Sequence, residues 1–305
     1  QWDNIGNTTN QGVELALAAN IINKKDFTLS ANFNIGVNKA KIDKLDGTNE
    51  RYFQSNWAST DLKEQNDYYI AVGQTIGQIV GYSNAGMYTV NDFDSYDATT
   101  GKYHLKTGVA DASSLLNATV KPGSMKIADY NGDGVIDSND SAPYGYTGTP
   151  ENTYSASIGA EWKGWSFYVQ FYGVSNVDRY VAFNSLGKKL DTVFDEGTLW
   201  SKYTTDADAP MPRINSTPSY YEGTRFHYDG SFIRLKNAEI AYNFTGPWVK
   251  KLGVSSIRVF LNGNNLWVWS RMPDDRESNF AGTGLASQGA YPTVKRFNLG
   301  LKINL

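Results

Sequence analysis

The chain has 305 residues, 28 Lys and Arg against 31 Asp and Glu, a formal net charge of −3 and no cysteine. A nucleic-acid binder is not expected without a positive excess to neutralise phosphates, and a disulfide scaffold or cysteine zinc site is ruled out. No run approaches the ~18 apolar residues of a spanning helix, while 14% aromatics with 29 Gly and few charges speak for β-structure over disorder.

Gln1-Trp2-Asp3-Asn4 shows neither an initiator Met nor the basic and apolar segments of an export signal. This is expected of a chain whose leader was cleaved, or of part of something longer. Alternation then dominates. Apolar residues at every second position mark a strand with one apolar and one wet face. Val13, Leu15, Leu17, Ala19 and Ile21 alternate with Glu14, Ala16, Ala18 and Asn20, predicting a strand over about 12–22. Phe27, Leu29, Ala31, Phe33, Ile35 and Val37 do the same against Thr28, Ser30, Asn32, Asn34 and Gly36, over about 27–38. Tyr154, Ala156, Ile158, Ala160 and Trp162 give 153–163, and after a turn at Lys163-Gly164, Phe167, Val169 and Phe171 give 165–175. Two weaker strands follow at 231–245 (Ala238, Ile240, Tyr242, Phe244) and 256–268 (Ile257, Val259, Leu261). Phe297, Leu299, Leu301, Ile303 and Leu305 against Asn298, Gly300, Lys302 and Asn304 give the cleanest, 294–305.

These predicted strands exceed the ~5–6 residues typical of soluble sheets and reach the ~9–11 that a tilted strand needs to cross a bilayer. Their polar faces are Asn, Ser, Thr and Gly, as in a watery lumen, and Phe27, Trp162, Trp165 and Trp248 stand near strand ends, where an interfacial girdle belongs. A soluble two-sheet sandwich also alternates, so pattern alone leaves both open. The connections favour the membrane: very short turns at 23–26 and 163–164 and a medium one at 246–253 alternate with long ones at 39–152, 176–230 and 269–293. Barrels place short turns in the periplasm and long loops outside. Seven strands is an odd count with two open edges, which hydrocarbon does not tolerate. The expected fold is therefore all-β: residues 1–305 as the C-terminal part of a larger antiparallel transmembrane β-barrel with long extracellular loops.

The strongest local motif runs from Asp129 to Asp140, DYNGDGVIDSND. Oxygen donors at loop positions one, three and five, glycine at six and an apolar residue at eight fit a twelve-residue calcium loop. Asp129, Asn131, Asp133 and Asp140 would offer side chains, Val135 its carbonyl, and Asp137 a direct or water-bridged oxygen. Position twelve is Asp, not Glu, and Pro122 and Pro143 preclude an EF-hand's paired helices. The expectation is structural Ca²⁺ stiffening an outer loop. The alternative is an Asx/Gly turn that binds no metal.

Several stretches together resemble one family. They are Asn7-Thr8-Thr9-Asn10-Gln11-Gly12-Val13-Glu14-Leu15, the run 72–82, Ile127–Gly134, Trp162-Lys163-Gly164-Trp165-Ser166, Phe232-Ile233-Arg234-Leu235-Lys236-Asn237, Lys251–Val259, Gly263-Asn264-Asn265-Leu266 and Tyr291-Pro292. In this order and spacing they resemble the C-terminal portion of SusC/RagA-type TonB-linked outer-membrane transporters. The resemblance implies a barrel of about 22 strands filled by an N-terminal plug, neither plug nor remaining strands lying in this chain. It implies a SusD-like surface lipoprotein as lid, energy from the TonB complex through the absent N-terminal region, and import of glycan oligomers or, in some branches, peptides. Lumen-facing Asn32, Asn34, Gln170, Asn298 and Lys302 would line a conduit or touch the plug. Loop aromatics Trp57, Trp200, Tyr203, Tyr220 and Tyr221 would pack the loops or stack on sugars. Catalysis is not expected: the only histidines, His104 and His227, lie in distant loops, and Asp274, Asp275 and Glu277 read as solvated charge. The alternatives are a secreted calcium-stabilised carbohydrate-binding sandwich and a siderophore-type TonB-dependent receptor.

Overall fold

The structure is a computed structural model that describes residues 6–45, 51–55, 66–75, 77–116, 118–180, 227–272 and 293–305. Trp57, Trp200, Tyr203, Tyr220, Tyr221, Asp274, Asp275 and Glu277 lie outside the described residues. One antiparallel sheet of seven strands carries the architecture, each strand paired with its neighbours in sequence order. The strands are β1 (Asn7–Lys24), β2 (Phe27–Lys44), β3 (Asn152–Trp162), β4 (Trp165–Ser175), β5 (Phe232–Phe244), β6 (Ser256–Ser270) and β7 (Arg296–Asn304).

The pairing register puts the alternating apolar residues on one face. Leu15 sits opposite Ile35, Ile35 opposite Tyr154, Ile158 opposite Val169, Ile240 opposite Leu261 and Leu261 opposite Leu299. Among the described residues no second sheet covers this face. Val13 is 71% and Leu299 79% exposed. A two-sheet sandwich buries such a face against its partner, so the sandwich alternative is overturned. An apolar surface of this extent matches a lipid-facing barrel wall.

Local chemistry explains the short turns. At Lys163-Gly164 both residues have positive φ (47° and 91°), the type I′ geometry whose twist suits a two-residue hairpin. Between β5 and β6, Pro247 opens the short helix Pro247–Lys251 and Gly253, at φ 77°, follows its end. Proline's fixed φ and glycine's freedom suit those places. On the apolar face beside these turns, Trp165 meets Tyr242 at 4.9 Å, Tyr242 meets Phe244 at 4.6 Å and Phe244 meets Trp248 at 5.6 Å between ring centroids. Phe27 pairs with Trp162 and Trp162 with Trp165. The expected girdle is one connected aromatic belt. Trp267 and Trp269, about half exposed, stand at the other end of that face.

Three strands differ from expectation. β1 and β2 have 18 residues each, roughly 60 Å at ~3.3 Å per residue, twice the ~30 Å hydrocarbon thickness. The apolar alternation stops near Val37, but backbone pairing continues to Asn7↔Lys44, above the membrane where side chains need not be apolar. In β5, Lys236 has no partner on β4 and faces both Asn265 and Leu266 of β6. Asn265 takes φ 54° there. This bulge switches the lipid-facing set from Phe244, Tyr242, Ile240 and Ala238 to Leu235 and Ile233. That phase change is why periodicity marked β5 weakly.

The described residues between β2 and β3 form a folded unit. Strands Ser141–Tyr144, Gln78–Tyr82, Asn66–Ala71 and Arg51–Ser55 make a sheet in that order, beside a long-range antiparallel pair, Asn84–Met87 with Met125–Ile127, and a hairpin, Phe93–Asp97 with Lys102–Leu105. Tyr88, Phe93, Ala112, Leu116, Val120, Ile127 and Ile136 form its core. In the connection 176–230, Asp178–Tyr180 pairs with His227–Asp229.

Candidate functional site

Two sets of residues carry chemistry: the calcium-type loop on the outer unit and the polar face of the sheet. In the loop, each acidic side chain folds onto nearby amides. Asp129 accepts from Gly132 and Gly134 N–H, both at 2.7 Å, and Asp133 from Val135 N–H at 2.8 Å. Asn131 accepts from Asp133 N–H at 3.0 Å. Gly132 and Gly134 have φ of 79° and 87°, which side chains with a Cβ rarely adopt. Asp140 is 1% exposed; it accepts from Tyr130 N–H at 2.7 Å and Asp137 N–H at 2.8 Å, tying the loop's end to its start.

The loop is spliced into the core at position eight. Ile136 is fully buried, and its N–H donates to Asp111 O at 3.1 Å while Asp111 N–H donates to Gly134 O at 3.2 Å. This short bridge does not use the Val135 carbonyl, the predicted backbone ligand. The donor set is all oxygen, which fits a hard cation. The carboxylates stand apart, however: among the described residues no group of three or more His, Asp or Glu converges as a metal site.

Beside the loop, Tyr88 is fully buried and donates to Ala110 O at 2.7 Å. Burial pushes its phenol well above the ordinary range. Burial also works to raise Asp92, but the Lys126 ammonium at 2.9 Å and the Thr89 N–H at 2.6 Å prevail and hold it below the usual carboxylate range. His227 is not isolated as the sequence suggested. Its Nδ1 lies 2.5 Å from Asp178 Oδ1, and Tyr144 packs edge-on at 5.2 Å. Asp178 N–H donates to Thr147 O at 2.9 Å, and Arg179 donates to Gly148 O. Burial lowers the Arg179 guanidinium, against the opposing pull of Asp178. Sequence spacing gave no signal for this junction, because its partners are 49 residues apart. His104 is exposed opposite Ser95.

All five predicted lumenal residues, Asn32, Asn34, Gln170, Asn298 and Lys302, lie on the polar face. The face is laced across strands. Asn32 and Asn34 donate to Ser157 and Ser155 at 3.3 Å, Asn237 to Gln170 at 2.6 Å, and Asn298 to Asn262 at 2.8 Å. Arg258 and Glu239 pair at 2.7 Å.

Comparison with known proteins agrees with this geometry. TonB-dependent receptor P3 of Formosa agariphila is 26% identical over 314 residues, covering 99% of this chain and 29% of that one. TonB-dependent receptor SusC of Bacteroides thetaiotaomicron is 24% identical over 304 residues, covering 98% of this chain and 27% of that one. The chain matches the SusC/RagA type of TonB-dependent receptor. No family model matches it. Among solved structures, the RagAB peptide transporter superposes with a TM-score of 0.64 at 20% identity, and the open-open RagAB peptide importer with 0.67 at 18%; each covers all of this chain and 30% of that one. These likenesses show the fold. The chain spans about 30% of the length of the curated relatives it matches. The sheet, with one apolar face and its long connections at one end, matches the wall of an outer-membrane β-barrel.

Proposed function

We propose that this chain forms part of the wall and outer vestibule of a TonB-dependent outer-membrane importer of the SusC/RagA type, residues 1–305 being the C-terminal part of its barrel. The observation that carries this is end-to-end similarity to TonB-dependent receptors in a chain whose single sheet has one lipid-facing and one hydrogen-bonded polar face. The substrate class proposed is glycan oligomers, as the family resemblance of the sequence implies, with peptides the second reading because the RagAB structures are named for peptides. A SusD-like lipoprotein would dock on the outer unit, and TonB would act through regions outside this chain. The relatives are named receptors and transporters, so the role proposed is transport without catalysis.

The test is uptake of labelled oligosaccharides and oligopeptides by cells expressing the full-length parent, with and without an uncoupler. Energy-dependent oligosaccharide uptake is expected. Peptide uptake alone would move the substrate to the second reading, and uncoupler-resistant uptake would refute TonB dependence.

The calcium-type loop belongs to the same proposal. Asp129, Asn131, Asp133, Asp137, Asp140 and the Val135 carbonyl would hold Ca²⁺, whose charge would draw the separated carboxylates together and stiffen the outer unit. Calorimetric titration of the parent with Ca²⁺ separates metal binding from turn-making. Asp133→Asn keeps an acceptor for Val135 N–H but removes a charge, so it should weaken binding about tenfold or more. Equal heats for the parent and this variant would sink the metal reading.

A further inference from the structure

The short-turn end of the sheet is basic as well as aromatic. Residues 23–26, 163–164 and 245–255 contain five lysines, Lys24, Lys25, Lys163, Lys250 and Lys251, against one acid, Asp26. All five lysines are exposed, and among the described residues none is in an ion pair. Their placement follows the lipid-facing belt. Lys24 pairs directly with Phe27, so it shares the apolar face. Lys163 Nζ lies 5.9 Å from the Trp162 ring centroid. Lys250 and Lys251 end the short helix whose Trp248 packs on Phe244.

Uncompensated lysines just beyond a tryptophan belt occupy the headgroup level of a bilayer, where their long stems lie along apolar surface and their ammonium groups reach water and phosphate. We propose that this collar is a binding surface for anionic phospholipid in the periplasmic leaflet, its lysines meeting headgroup phosphates while Phe27, Trp162, Trp165 and Trp248 border the acyl chains. The leaflet assignment rests on the reading of the fold as an outer-membrane barrel with periplasmic short turns. The lipid class rests on the charge and geometry of the collar. An acidic protein partner would meet the lysines but would leave the adjoining aromatic rings without an apolar neighbour. The collar is continuous with the lipid-facing sheet, which favours lipid.

The experiment uses the full-length receptor in non-ionic detergent, given equal amounts of phosphatidylglycerol and phosphatidylethanolamine, with bound lipid counted by native mass spectrometry. The parent should retain phosphatidylglycerol preferentially, and the preference should fall as salt rises from roughly 0.05 to 0.5 M. At about fivefold per lysine near a headgroup surface, K24Q/K163Q/K250Q/K251Q should lower the preference tenfold or more. K102Q/K106Q, on the outer hairpin, should leave it unchanged. Heat-modifiable gel mobility checks that each barrel is folded. Unchanged preference in the quadruple variant, equal loss in the control, or a salt-independent parent preference would overturn the proposal. Asn23→Cys, in a full-length parent from which any cysteine outside these 305 residues has been removed, reports the topology separately: labelling from outside intact cells would refute the leaflet assignment, and protection from it supports the periplasmic placement.

Discussion

Ile158 and Ser157 are neighbours in β3 with opposite fates, and substituting each with Arg tests the face assignment. Ile158 is half exposed on the apolar face, opposite Ala31 and Val169. It lies four residues from Trp162 in the belt, roughly 13 Å along the strand, or about 10 Å along the membrane normal at a tilt near 40°. Half of an apolar band ~25 Å tall is ~12 Å, so Ile158 sits close to the midplane, where Arg costs about 2–4 kcal/mol. That is roughly a 30- to 1,000-fold loss in the folded-to-unfolded ratio. Ser157 points to the polar face and gives up only a 3.3 Å contact from Asn32; its guanidinium substitute can stay in water, and the cost should be about 1 kcal/mol or less. The assay is reversible denaturant unfolding of the full-length parent in phospholipid vesicles, with gel mobility as the folded signal. Equal costs, or a greater cost at Ser157, would refute the assigned face and with it the register of β2, β3 and β4.

Glycine packing gives the next test. A Cβ at Gly173 would lie 2.5 Å from Phe232 O and 2.4 Å from Tyr154 Cε2, so Gly173→Ala should lower stability by about 1–3 kcal/mol in the same unfolding assay. At Gly300 the obstacle is the Phe260 ring, 2.0 Å away, so Gly300→Ala should be costly alone and substantially relieved by Phe260→Ala; additive losses would contradict this packing. Ile136→Ala should destabilise the outer unit by about 2–5 kcal/mol, read as faster amide exchange at residues 110–112 and 134–136 with the sheet unchanged. Asp92, held below the usual carboxylate range, contributes stability that is present above the unfolded-state value and lost as pH falls through the lower folded value. Exchange protection around Thr89 and Lys126 should therefore drop in acid below about pH 4, and Asp92→Asn should flatten that drop.

What the sequence made legible follows from where side chains meet a uniform environment. Between Phe27 and Val37, or Phe297 and Leu305, every second residue meets lipid and the others meet water, so composition records the strand directly. The signal ends where that contrast ends. Lys39 and Lys41 extend β2 by pairing with Gln11 and Thr9, and nothing in their chemistry marks a strand. Lys236 falls within a family-like stretch, yet the bulge there is visible only in the register, since neither Lys236 nor Asn265 is a glycine. The calcium-type loop was fully legible as a motif because its ligand types recur at fixed spacing. Its attachment through Ile136 and Asp111 was not, because that contact joins segments with no shared periodicity. The Asp178–His227 junction is long-range in the same sense.

The described hydrophobic core of the chain lies mainly in the outer unit, and this divides stability into two parts with different physical origins. The sheet has little apolar burial of its own. Its apolar face is stabilised by lipid, and its backbone groups by pairing that hydrocarbon makes obligatory. The outer unit behaves like a small water-soluble domain, with Tyr88 and Ile136 at its centre. Among the described residues the two are joined at a few places. Asn38 N–H donates to Glu151 O at 2.8 Å, Ile42 N–H to Gln74 O at 2.9 Å, and Gly73 N–H to Ile42 O at 2.7 Å. Asp178 and Arg179, just past β4, hold Thr147 and Gly148. Because these links sit at the rim, substitutions in the outer core and in the lipid face share no packing partners, and their costs should add. A unit with its own core, held at its roots, keeps its shape without the ordering entropy that a loop without a core would lose.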